Sequence, residues 1–187
     1  MLALLLFAVL IPVGLYLLDR LHGPDTLPEF TEDQIKRKWR ELGFFCEVDH
    51  EKKLWTLTGS RAGLLYFSDL LFGYVTDAQT ASIGASRKYG PYGSLEIVTS
   101  PEAGFGNSIR GSSTSLTHLA ELVEEKLAFA QTGDQVKIRR DYAPQTHYTL
   151  VLDIQADGFD PASADRERLG SITSLANKKA GTDASAR

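Results

Sequence analysis

The sequence is poor in the residues on which much protein chemistry depends. It holds one cysteine, Cys46, so no intramolecular disulfide framework can form, and a lone thiol suits a reducing compartment. There is no cysteine pair for a zinc site, and His22, His50, His118 and His147 are not at metal-ligand spacing. Excess basic charge is missing too. The net charge is −4, whereas domains that bind nucleic acid usually carry a basic stripe. These absences point to a protein without metal, cofactor or nucleic-acid partner.

Charge is also absent from residues 1–18, an apolar run closed by Asp19 and Arg20. About 17 apolar residues is the lower limit for a membrane-spanning helix, and Pro12 and Gly14 are tolerated in such helices. No Lys or Arg precedes the run and no Ala-x-Ala follows it, so it reads as an uncleaved anchor rather than a signal peptide. Arg20 and the group Lys36, Arg37, Lys38 and Arg40 lie on its C-terminal side. The positive-inside tendency then predicts a single-pass inner-membrane protein whose domain faces the cytoplasm.

Residues 19–30 read as a linker, residues 31–165 as one domain, and residues 166–187, rich in Ala, Ser, Lys and Gly, as a disordered tail. A first helix is expected from Thr31 and Gln34, which form a capping box, through Ile35, Trp39 and Leu42 to a stop at Gly43. Residues 44–48 and 54–58 predict a hairpin, followed by a helix that buries Leu64, Phe67, Leu71 and Tyr74. A strand over residues 95–98 and a short one near Ile109 lead to a helix with Leu116, Leu119, Val123 and Leu127 inward, and a last hairpin spans residues 136–139 and 148–154. The run Gly59-Ser60-x-x-Gly63-Leu64-x-x-Phe67-x-x-Leu70-Leu71 matches Gly111-Ser112-x-x-Ser115-Leu116-x-x-Leu119-x-x-Leu122-Val123 without a gap, about 52 residues on. The expected fold is α+β: an antiparallel-rich sheet built from duplicated hairpin–helix units and a final hairpin, with helices on one face.

Catalytic chemistry does not assemble in this pattern. A nucleophile needs a base and an orienting group, and Cys46 lies in an apolar strand where a buried, inert thiol is expected. Asp153, Asp157, Asp160 and Asp165 lack calcium-loop spacing and read as a solvated chain end. Glu121, Glu124 and Glu125 read as an exposed helix face, open to a basic partner. Residues 76–93 form a long predicted loop, and long loops in compact domains tend to be functional. That loop carries Arg87, Lys88, Tyr89 and Tyr92, and Phe105 follows in a Gly-flanked loop. These five are the candidate partner-binding residues, Arg and aromatic side chains being enriched at interface hot spots.

Four segments carry a resemblance: Lys38-Trp39-Arg40-Glu41-Leu42-Gly43-Phe44, Gly59-Ser60 with Gly63-Leu64, Tyr89-Gly90-Pro91-Tyr92, and Gly158-Phe159-Asp160-Pro161-Ala162-Ser163-Ala164-Asp165. In this order and spacing, over about residues 31–165, the chain resembles an immunity-protein family of bacterial polymorphic toxin systems. The resemblance implies a small α+β protein that neutralises a cognate protein toxin by binding it, with no cofactor and no small-molecule substrate. The rival expectation is a membrane-anchored adaptor or secretion-system accessory protein with a structural role.

Overall fold

In the computed structural model, which describes residues 30–166, the domain opens on α1 (Glu32–Leu42). The Thr31 hydroxyl accepts from the Gln34 amide, and the Gln34 side chain accepts from the Thr31 amide, the reciprocal cap expected from the sequence. Ile35, Trp39 and Leu42 are buried, and Gly43, at φ 81°, turns the chain out of the helix. The elements that follow are β1 (Phe45–Asp49), β2 (Leu54–Ser60), α2 (Arg61–Thr76), β3 (Ser86–Tyr89), β4 (Leu95–Thr99), β5 (Gly104–Phe105), β6 (Ile109–Gly111), α3 (Ser113–Phe129), β7 (Gln135–Ile138) and β8 (Thr149–Gln155). Short 3-10 turns occupy Ala78–Thr80, Pro91–Gly93 and Pro161–Ala164.

The class is α+β, but one antiparallel-rich sheet is not what forms. There are two mixed four-stranded sheets, ordered β1-β2-β8-β7 and β3-β4-β6-β5. Each is antiparallel at its two outer pairs and parallel at its centre, β2 with β8 and β4 with β6. The chain is therefore two successive hairpin–helix–hairpin halves that exchange partners. The first hairpin of each half pairs with the second hairpin of the other: β2 reaches its parallel partner β8 through both later helices and the whole second sheet, whereas β4 reaches β6 through residues 100–108 and strand β5, without a helix. The final hairpin is not a third unit but the close of the second half.

The sequence match between the halves has a local cause. Ser60 caps α2 by accepting from the Gly63 amide, and Ser112 caps α3 by accepting from the Ser115 amide. Near each cap, three residues after Ser60 and immediately before Ser112, the backbone is closely approached. A Cβ on Gly63 would lie 2.0 Å from the Gly43 carbonyl oxygen, and one on Gly111 would lie 2.6 Å from the Tyr142 hydroxyl. Below the caps, Leu64, Phe67, Leu71 and Tyr74 of α2 and Leu116, Leu119, Val123 and Leu127 of α3 are all buried, as expected. They join Trp55, Leu57, Leu150 and Leu152 of one sheet and Leu95, Ile97 and Ile109 of the other in the core. Cys46 is buried there as well. No described helix is long and apolar enough to cross a membrane. The anchor expected over residues 1–18, the linker before Phe30 and the tail after Arg166 lie outside the described residues.

Candidate binding surface

The long loop expected over residues 76–93 is a structured segment. Tyr74 Oη donates to the Ala85 carbonyl at 2.7 Å, Thr99 Oγ1 to Thr80 at 2.5 Å and Thr80 Oγ1 to Asp77 at 2.8 Å, so side chains of α2 and β4 pin the connection from beneath. Its second half is strand β3, at one edge of its sheet. Four residues, Ser-Arg-Lys-Tyr, with no apolar alternation, gave no strand pattern to read.

Four of the five candidate residues come together on this strand and the turn after it. The Arg87 guanidinium pairs with Asp77, the residue that closes α2. That hydrogen bond holds the Asp77 carboxyl below its ordinary 3.8 and raises Arg87. Tyr89 is half-buried, and burial pushes its phenol up against the opposing effect of Arg87. Lys88 is exposed, and its stem lies over Gly93. Tyr92 adopts the left-handed conformation at φ 59° and tucks its hydroxyl oxygen out of solvent. Phe105 requires a correction. It lies in β5, at the other edge of the same sheet, only 2% exposed, with its ring 5.1 Å from that of Tyr142. The glycines beside it admit a tight hairpin rather than present a side chain to solvent.

Beside Tyr89 the surface is concave, an open groove of about 190 Å³. It is lined by Lys38, Glu41 and Leu42 of α1, by Tyr66 and Leu70 of α2, and by Tyr89 and Gly90 at the end of β3. Tyr66, 42% exposed, is one of the few large hydrophobic side chains open to solvent among the described residues. Its signal was present in the sequence: the inward stripe of α2 runs through Leu64, Phe67, Leu71 and Tyr74, so an aromatic at position 66 points off that stripe. The part played by α1 carried no such signal, because the groove exists only where that helix meets α2 and the end of β3.

The segments behind the family resemblance meet around α1. Trp39 Nε1 donates to Asp165 Oδ2 at 2.7 Å, and Arg40 reaches Asp160 through Nη2 at 2.7 Å and Nε at 3.1 Å. Gly90 lets the turn after β3 approach Leu42 and Trp39, where an added Cβ would lie 3.0 Å from the Leu42 side chain. The acidic stretch is thus no solvated chain end: Asp160 and Asp165 strap α1 to the domain. On α3, Glu121, Glu124 and Glu125 are exposed as expected, although Glu124 also accepts from Ser68 Oγ at 3.1 Å. Among the described residues no three His, Cys, Asp or Glu side chains converge as a metal site. Comparison with protein-family models, with curated proteins and with solved structures finds no match to this chain.

Proposed function

We propose that this chain is an immunity protein, which neutralises a cognate bacterial toxin by direct protein–protein binding. It works without chemical turnover or cofactor, and is held at the inner membrane by residues 1–18 with its domain in the cytoplasm. The observation that carries the reading is the groove flanked by Tyr66 and Tyr89. Its lining mixes two tyrosines and two leucines with Lys38 and Glu41, and aromatic side chains are enriched among the few anchors that supply most of the binding energy of protein interfaces. Arg87, on the same face of β3 as Tyr89, extends this surface, while Lys88 projects from the opposite face and Tyr92 lies in the turn that follows. Arg87 is already fixed by Asp77, so it meets a partner without the full entropy cost of ordering a long side chain.

The reading is tested with the protein encoded beside this chain. Induced alone, that neighbour should arrest growth; induced with this chain, it should not, and the two should form a stoichiometric complex measurable by titration calorimetry. A toxic neighbour that stays toxic, with no heat of binding, sinks the proposal.

A further inference from the structure

We propose that the two halves of this chain exchange between copies: residues 31–99 of one molecule close on residues 104–165 of another, and the result is a dimer of two complete domains. The halves are built alike. Leu57 stands between Cys46 and Leu152 in one sheet as Ile109 stands between Phe105 and Ile97 in the other. Ser60 and Ser112 cap the helices that follow. The same bulged turn precedes β3 and β7. The Gly84 amide donates to the Thr99 carbonyl and the Thr99 amide to Ala85, as the Gly133 amide donates to the Ile154 carbonyl and the Ile154 amide to Asp134.

Neither half completes a sheet by itself. Each sheet takes one hairpin from each half, and both central ladders, β2 with β8 and β4 with β6, join one half to the other. Separated, β2 and β4 would each lose the hydrogen bonds of one side, and buried backbone groups seldom go unpaired. Side-chain contacts follow the same division. Trp55 Nε1 donates to the Gly106 carbonyl at 2.7 Å, Arg61 Nη2 to the Ala128 carbonyl at 3.0 Å, and Ser68 Oγ to Glu124 at 3.1 Å. The strap is another such contact, since α1 belongs to the first half and Asp160 and Asp165 to the second. All of these bonds form as well between two copies as within one, because each joins a first half to a second half.

The link of residues 100–103, between β4 and β5, is what distinguishes the two arrangements. It is short and lies at the surface, with Pro101 and Glu102 exposed. Its bend is held from within by the Glu102 amide, which donates to Ser100 Oγ at 3.3 Å. Pro101 favours extended backbone at Ser100, the conformation an opened link takes. In the closed form the link must cross β6, from β4 on one side to β5 on the other, about 10 Å at the usual strand spacing. The groove is lined wholly from the first half, Lys38 to Gly90, so exchange leaves that surface intact and gives the dimer two of them.

The test refolds the full chain from denaturant at high concentration and weighs the product by analytical ultracentrifugation. A dimer that melts as the monomer does is expected, and a product that stays monomeric overturns the proposal. Two full-chain variants then separate exchange from side-by-side contact. Leu64→Asp/Leu71→Asp puts charge into the core of the first half and Leu116→Asp/Leu119→Asp into that of the second, all four positions being fully buried. Each variant alone should show no cooperative melt. Refolded together they should form a two-chain complex with a wild-type melt of about half the amplitude, because an intact first half meets an intact second half once per pair. A mixture that behaves as the sum of the two variants overturns exchange and makes any wild-type dimer a surface contact. A chain lacking residues 101–103 should be dimeric at every concentration, since the link that remains reaches at most about 7 Å. A folded monomer of that chain overturns the link as the hinge.

Discussion

The indole Nε1 of Trp39 donates to the Asp165 carboxylate at 2.7 Å, a bond that spans 126 residues of sequence and closes the C-terminal strap over α1. Both partners are buried, Trp39 fully and Asp165 to 3% exposure. A buried donor that loses its acceptor carries its whole desolvation cost, so the bond matters more for what its absence exposes than for its own strength. Because α1 forms one wall of the groove, the strap also fixes the surface proposed to bind.

Asp165→Ala is therefore expected to destabilise the domain by about 1–3 kcal/mol. Trp39→Phe, which keeps most of the ring but strands the carboxylate, should cost a similar amount. The double variant should lose less than the sum of the two, because each single change already breaks the same bond. Denaturant melts of the four proteins check this, and simple additivity would show that the pair is not coupled.

Two glycines of α2 should respond to alanine with opposite sign. Gly63→Ala drives a methyl to within 2.0 Å of the Gly43 carbonyl, so the corner between α1 and β1 must move. Overpacking of this kind costs about 1–3 kcal/mol and outweighs the helix propensity gained. Gly73, exposed on the same helix, has nothing within 4 Å of an added Cβ, and Gly73→Ala should stabilise by about 0.5–1 kcal/mol. Thermal melts of the two variants should move in opposite directions.

The strap also sets an acid limit. Asp160 and Asp77 are held below the ordinary carboxylate value of 3.8, Asp160 chiefly by its hydrogen bond from Arg40 and Asp77 chiefly by that from Arg87. A carboxylate with a depressed folded pKa adds stability above its unfolded pKa, and that contribution is lost as pH falls through the folded value. Stability from these pairs should be level through neutral pH and fall below about pH 4. Asp160→Asn keeps an acceptor for the Ala162 amide but removes the charge. Its melting temperature should be close to wild type at pH 3 and differ from it only modestly at pH 7, since exposed pairs contribute little there. An identical acid drop in the variant would rule the pair out as its source.

Legibility followed the range of the interaction. The candidate residues Arg87, Lys88, Tyr89 and Tyr92 were found together because they are neighbours in sequence, whatever their secondary structure. Phe105 was misplaced because flanking glycines look alike in an exposed loop and in a buried hairpin, and only the ring of Tyr142, from another part of the chain, distinguishes the two. Tyr66 was readable as an aromatic off the buried stripe of its helix, but the groove beside it was not, since α1 builds part of its wall.

By itself the sequence determined what is set within one or two turns of chain. Thr31, Gln34 and Gly43 bound α1, Ser60 and Ser112 start the later helices, and the 3.6-residue period assigns Leu64, Phe67, Leu71 and Tyr74 and their counterparts in α3 to the core. Only the tertiary structure decided that β2 lies beside β8 and β4 beside β6, and that Asp160 and Asp165 return to α1. The physical reason is that periodicity marks which face of a strand is apolar, while its backbone offers the same donors and acceptors to any partner. The choice among partners is made by the packing of the whole core, and each half of this chain finds its partner in the other.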